Sequence, residues 1–180
     1  NYIGTDISGT LARGNQRGVL SQNGPFGTLG GPTSAHRNII SGNTLAQIES
    51  SNGNVGGLIQ GNYIGLNEAG TGRIVGGTTG IETTVSARDN VQILDNVIAG
   101  YTVNINISSG ASGHIIRGNR IGTNATGTAA LGGATGIAVA GSNTLIGGSS
   151  PGQGNLISGN TGSGILISGA SAANNIIQGN

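Results

Sequence analysis

The chain has 180 residues, seven arginines, no lysine and six acidic residues, giving a net charge of +1 with only 7% of residues charged. That length suffices for one domain with a core. The scattered charge, with three Tyr and one Phe, excludes a nucleic-acid footprint, which needs clustered cations and stacking aromatics. No apolar run reaches membrane-spanning length. The absence of Cys removes disulfides, thiol nucleophiles and Cys-based zinc sites, and is compatible with secretion.

Gly (38) and Asn (21) dominate the composition. Disordered segments of this kind are poor in β-branched residues and rich in net charge. Here Ile and Val recur throughout at steps of two, which predicts short strands separated by tight turns.

Taken in chain order, the elements repeat. Asn1 to Ala12, NYIGTDISGTLA, returns as Asn119 to Ala130, NRIGTNATGTAA. Asn38 to Thr44, NIISGNT, returns as Asn155 to Thr161, NLISGNT, and the LIQGN ending at Asn62 returns as the IIQGN ending at Asn180. A middle copy opens at Asn62 with NYIGLNEAGTG. The chain therefore reads as a single domain, 1–180, of three copies of about 60 residues starting near Asn1, Asn62 and Asn119, and as a piece of a longer repeat protein.

Each copy divides into two circuits of three strands. In the last copy one circuit is Gly136 to Ala140, Asn143 to Gly148 and Asn155 to Asn160, and the next begins with Gly164 to Ser168 and Asn174 to Gly179. Three short strands per circuit, one residue in two facing inward, describe the coil of a parallel β-helix. The prediction is an all-β solenoid of about six coils and three parallel sheets, without a helical domain, its coils about 4.8 Å apart.

Ile81, Ile105, Ile107, Ile137, Val139, Ile165 and Ile167 are expected inside, with Ile3, Ile39, Ile64 and Ile121 together on another face. At the corners Gly and Asn tolerate positive φ. Asn62, Asn96 and Asn119 recur at one corner, with Asn1 and Asn180 at its ends, and should form a structural ladder of stacked amides. Loops are expected at Asp6 to Gln16, Asn67 to Thr79 and Asn124 to Thr135, and further insertions at Pro32 to Arg37 and Ser149 to Gly154. Coil 4 departs from the scheme: Asn90 to Gly100, NVQILDNVIAG, carries no such insertion and leaves the surface locally narrower, which reads as a short repeat in preference to a groove floor.

The NxIGTxxxGTxA, IGG and NxISGNT segments resemble the modules of right-handed parallel β-helix repeat proteins, in the broad pectin-lyase-like class, found in large secreted or surface-anchored bacterial proteins. The resemblance spans essentially the whole chain. It implies a right-handed coil and an extracellular or cell-surface setting, but no one substrate, because the class holds lyases, hydrolases, tailspikes and adhesins.

Enzymes of that class act on polysaccharides with paired carboxylates or an acidic calcium cluster and a base. The acidic inventory is Asp6, Glu49, Glu68, Glu82, Asp89 and Asp95. Aligning QIES with GIETT places Glu49 and Glu82 on the outer face of one sheet in successive coils, where Leu20, Asn106, Ala138 and Leu166 stand in the others. Two carboxylates that close raise one pKa and suit acid and base roles. Glu49, Glu82, Asn106 and Arg88 are thus the candidate carbohydrate contacts, with Glu49 and Glu82 the catalytic candidates. The competing reading is an exposed, solvated sheet face, with Arg88 and Asp89 a local ion pair.

His36 and His114 fall in different coils without second ligands, so no metal site is expected, and both should take surface or turn roles. Arg117 and Arg120, flanking Asn119, read either as lining one corner with Arg73 or, equally well, as a charged edge that discourages misassociation. The resulting expectation is a structural or adhesive repeat module, with weak contact to polysaccharide or cell-surface glycan, end-to-end self-association and no cofactor. Its alternative is a polysaccharide lyase or glycoside hydrolase with a groove around Glu49 and Glu82.

Overall fold

A computed structural model of the chain describes residues 1–24, 26–51, 56–74, 76–84 and 90–180. Six coils of three strands follow one another. They are β1 (Tyr2–Ile3), β2 (Arg17–Gln22) and β3 (Thr28–Gly30); β4 (Ile39–Ile40), β5 (Ala46–Ser51) and β6 (Gly57–Gln60); β7 (Tyr63–Ile64), β8 (Thr79–Thr83) and β9 (Val91–Leu94). Then come β10 (Val97–Ile98), β11 (Val103–Ile107) and β12 (Ile115–Arg117); β13 (Arg120–Ile121), β14 (Thr135–Val139) and β15 (Leu145–Gly147); β16 (Leu156–Ile157), β17 (Ile165–Ile167) and β18 (Ile176–Gln178). The first strands of all coils form sheet I, the second sheet II and the third sheet III, each of six parallel strands. Among the described residues the only helical turn is Ser34–His36, so the chain is an all-β parallel β-helix.

Identical side chains stack because each strand pairs with its counterpart one coil away. Sheet I points Ile3, Ile40, Ile64, Ile98, Ile121 and Ile157 inward in one register. Sheet II does so with Val19, Ile48, Ile81, Ile105, Ile137 and Ile165, and sheet III with Leu29, Ile59, Ile93, Ile116, Ile146 and Ile177. The middle members of all three rows are fully buried; each such Ile contributes about 1.5–3 kcal/mol.

Two core expectations need correction. Ile39 does not share the ladder of Ile3, Ile64 and Ile121: Ile40 does, while Ile39 is in register with Tyr2 and Tyr63. The Asn preceding each strand sets that phase, since the inward Ile is always the second residue after it. Ile39 is nonetheless buried, at 5% exposure. Ile165 and Ile167 keep their inward register, but on β17, which has a neighbour on one side only, Ile167 remains 39% exposed.

The asparagine ladder is longer than the sequence suggested. Asn1 donates from Nδ2 to Asn38 Oδ1 (2.7 Å), and the same bond links Asn38 to Asn62, Asn62 to Asn96, Asn96 to Asn119, Asn119 to Asn155 and Asn155 to Asn180. The second Nδ2 proton reaches the sheet III strand of the preceding coil, as from Asn96 to Ile59 O (2.8 Å) and Asn119 to Ile93 O (2.8 Å). From Asn62 to Asn180 each Oδ1 also accepts the backbone N–H of the preceding ladder Asn, as Asn96 Oδ1 does from Asn62 (3.0 Å). The corner's buried amides are thereby satisfied across the length of the solenoid.

Long loops leave sheet I after every second coil. Asp6, Asn67 and Asn124 close them in the same way, each Oδ1 accepting two backbone N–H groups four and five residues on. These bonds, the Leu11 N–H first, hold the Asp6 carboxyl below its ordinary value. The loops stack through Glu68 N–H to Gly9 O (3.0 Å) and Ala125 N–H to Gly70 O (2.9 Å). They cover the outer side of sheet I over a small apolar cluster of Leu66, Val97 and Ala99.

Candidate functional site

The outer row of sheet II is Leu20, Glu49, Glu82, Asn106, Ala138 and Leu166 in consecutive register, matching the alignment drawn from the sequence. Glu49 and Glu82 therefore stand on neighbouring strands, about 4.8 Å apart along the solenoid. Period-2 alternation places them there: Ile48 and Ile81, one residue earlier, fill the core.

Each carboxylate is engaged by its own partner. Glu49 Oε2 accepts a charge-assisted hydrogen bond from Arg17 Nε, and the Glu49 side chain is only 13% exposed. Glu82 accepts from Asn106 Nδ2 on both oxygens (2.8 and 3.0 Å) and from Ser108 Oγ on Oε1 (2.8 Å). Burial pushes the Glu82 carboxyl above the ordinary value of 4.5; the Asn106 and Ser108 bonds pull against it, and repulsion from Glu49 is the smallest contribution. The guanidinium of Arg17 stands against Glu49, which explains why so close a neighbour acts so weakly.

Chemically, the row offers one carboxyl biased toward its protonated form beside one neutralised by an ion pair. Retaining glycosidases hold their two carboxyl groups roughly 5–5.5 Å apart, and here the two acids stand on neighbouring strands. The lone pairs are nevertheless directed along the row at Arg17, Asn106 and Ser108. Among the described residues no group of three or more His, Asp or Glu side chains assembles to hold a metal ion.

Of the four candidate contacts, the structure brings Glu49, Glu82 and Asn106 together; Arg88, like Asp89, lies outside the described residues. Sequence reasoning missed Arg17 and Ser108. Arg17 opens β2 in register with Ala46, three residues before Leu20, and Ser108 follows β11 two residues after Asn106. Both reach the row diagonally: Ser108 shares the outer face of Asn106, whereas Arg17, an odd number of residues from Leu20, is concealed by strict period-2 counting.

The remaining candidates separate. His36 closes its own turn through Nδ1 and Thr33 Oγ1 (2.8 Å). His114 is not at the surface but fully buried, immediately before β12. Arg73 lies on the loop after β7, bridged to Leu66, whereas Arg117 ends β12 and Arg120 opens β13. No protein-family model, curated protein or solved structure matches the chain.

Proposed function

We propose that this chain is a structural or adhesive repeat segment of a secreted or cell-surface bacterial protein, a stiff rod that presents its loops and touches glycans weakly. The observation that carries this reading is the closed state of the acidic row: Glu49 is held by Arg17 and Glu82 by Asn106 and Ser108. An acid and base committed to internal partners serve the sheet surface before they serve a substrate. The unbroken ladder from Asn1 to Asn180 favours the same reading, since it stiffens one corner along the whole chain. The likeness of the repeats to β-helix modules of large bacterial surface proteins supports the location. End-to-end association belongs to the same reading, and sedimentation at rising concentration would detect it.

The test is turnover. Polygalacturonate, alginate and neutral polysaccharides incubated with the chain should release neither reducing ends nor unsaturated uronides. A second reading, a polysaccharide lyase or hydrolase centred on Glu49 and Glu82, is favoured by the raised Glu82 pKa and the one-strand spacing of the pair. Product release abolished by Glu49→Gln or Glu82→Gln would overturn the scaffold reading in favour of this one.

A further inference from the structure

The corner that carries the asparagine ladder also carries a trough, on the side of the solenoid away from the Glu49–Glu82 row. Two nine-residue segments, GGPTSAHRN (30–38) and GGSSPGQGN (147–155), bulge from equivalent turns. They are built alike: a Cβ on Gly31 would meet the His36 side chain, and one on Gly148 would meet Gln153. Between them the three intervening turns have only two residues each, Gly61-Asn62, Asp95-Asn96 and Gly118-Asn119. The bulges thus stand as walls about 19 Å apart, four coil spacings, over a floor of three bare turns. The Asp95-Asn96 turn, within the bare stretch Asn90 to Gly100, is its middle.

Asp95 is the residue that breaks the floor's pattern. It stands where the neighbouring turns have Gly61 and Gly118, and it takes their left-handed backbone, with φ of 57° against 70° and 66°. Asp enters this region at an energetic cost that Gly does not bear, and such outliers cluster at functional sites. Its carboxylate lies along the floor, where a Cβ on Gly118 would strike Oδ1, and Oδ2 accepts from Gln60 Nε2 (3.0 Å).

Three of the seven arginines surround it. Arg37 and Arg120 line a depression of about 220 Å³ with Asp95 and Tyr63 on the sheet I side. Arg117 lines one of about 230 Å³ with Asp95, Gln92, Leu94 and Gln153 on the sheet III side. Two of these guanidiniums are held in advance. Arg37 lies 4.0 Å from the Tyr63 ring centroid with Nε directed at Gly61 O (3.4 Å), and Arg117 Nε donates to Gly147 O (3.0 Å). Their terminal nitrogens remain as donors. Among the described residues the sole ion pair is Arg17 with Glu49, so neither these arginines nor Asp95 is neutralised by a contact.

From this geometry we infer that the trough binds an anionic oligosaccharide, a chain of hydroxylated rings bearing carboxylate or sulfate groups. Planar guanidiniums match such anions in bidentate fashion. A carboxylate among them repels a plain polyanion but accepts protons from hydroxyls, and the side-chain amides do both. An extended acidic peptide fits less well, because the floor strands β6, β9 and β12 are paired on both sides and offer no edge for strand addition. The site is separate from Glu49 and Glu82, so a chain that binds nothing here remains a scaffold, and cleavage dependent on Glu82 leaves the trough untouched.

The experiment is calorimetric titration of the whole chain with an oligogalacturonate, a chondroitin sulfate oligosaccharide, a neutral malto-oligosaccharide and an oligoglutamate peptide. At least one acidic saccharide should bind, the carboxylated and sulfated probes distinguishing the two anion types, while the neutral sugar and the peptide should not. Arg37→Gln or Arg117→Gln should each weaken binding about tenfold. Asp95→Gly restores the residue of the neighbouring turns, so it should unfold no earlier than the parent chain and yet lose affinity. Failure of both acidic saccharides to bind, equal binding of oligoglutamate, or an Asp95→Gly variant with unchanged affinity would each overturn the proposal.

Discussion

Glu49 and Glu82 are register partners on adjacent strands, yet their carboxylates are bound in opposite directions along the solenoid, Glu49 to Arg17 one coil back and Glu82 to Asn106 one coil on. Across the four coils the order is donor, acceptor, acceptor, donor, so each acid is turned to its own partner although the two are adjacent in space.

One consequence is a pH dependence of stability. Burial raises the folded-state pKa of Glu82 above 4.5, so between that value and the raised one the folded chain holds more proton than the unfolded chain. Its contribution to stability is complete below pH 4.5 and is lost as pH rises through the folded pKa. Thermal unfolding followed from pH 4 to pH 8 should show this fall, and Glu82→Gln should flatten it. An equally steep fall in the variant would assign it to other groups.

Asn96 supports the ladder on both sides. Asn96→Ala removes the acceptor for Asn62 N–H and Nδ2, and the donor to Ile59 O and Asn119 Oδ1, all buried. Leaving such groups unmade costs about 1–3 kcal/mol each before relaxation, so a loss of about 2–4 kcal/mol is expected in denaturant unfolding. Asn1→Ala, at the exposed end, should cost well under 1 kcal/mol by the same principle. Equal losses at the two positions would deny the ladder its cooperative role.

Tyr101 occupies the position that Asn43 and Asn160 hold two coils before and two coils after it: IAGYT stands where they have ISGNT. Its ring fills the space that Gly80 leaves open, and its hydroxyl is buried without a hydrogen-bond partner. Tyr101→Phe should therefore stabilise the fold by about 1 kcal/mol. Burial also raises the Tyr101 pKa well above 10.0, so its tyrosinate absorbance should appear only with global unfolding. Ionisation in the folded chain, or destabilisation by Phe, would count against this account.

The architecture was legible because stacking turns sequence repetition into spatial contact. QIES and GIETT, aligned on their inward Ile, place Glu49 on Glu82 with nothing else known. Features that depend on phase within a repeat were less legible. The IleIle pair at 39 and 40 offers two equivalent registers, and only the bonded Asn38 selects between them. Asn38 and Asn155 were hidden from the ladder because each follows an insertion. Arg17 and Ser108 contact the row along diagonals, and His114 is buried by packing that no local pattern announces. Of the trough, the bare stretch Asn90 to Gly100 was legible, but as a short repeat in preference to a groove floor, because the walls that make it a floor are far apart in sequence.

The central claim, that Glu49 and Glu82 form a closed structural contact and not a coupled acid pair, is tested most directly by carboxyl-carbon NMR titration of Glu82 in the parent chain and in Glu49→Gln. The account predicts a single transition with a midpoint above 4.5 that hardly moves in the variant, because burial is the main cause of the shift and Glu49 the least. A two-step titration that collapses to one step when Glu49 is replaced would contradict it.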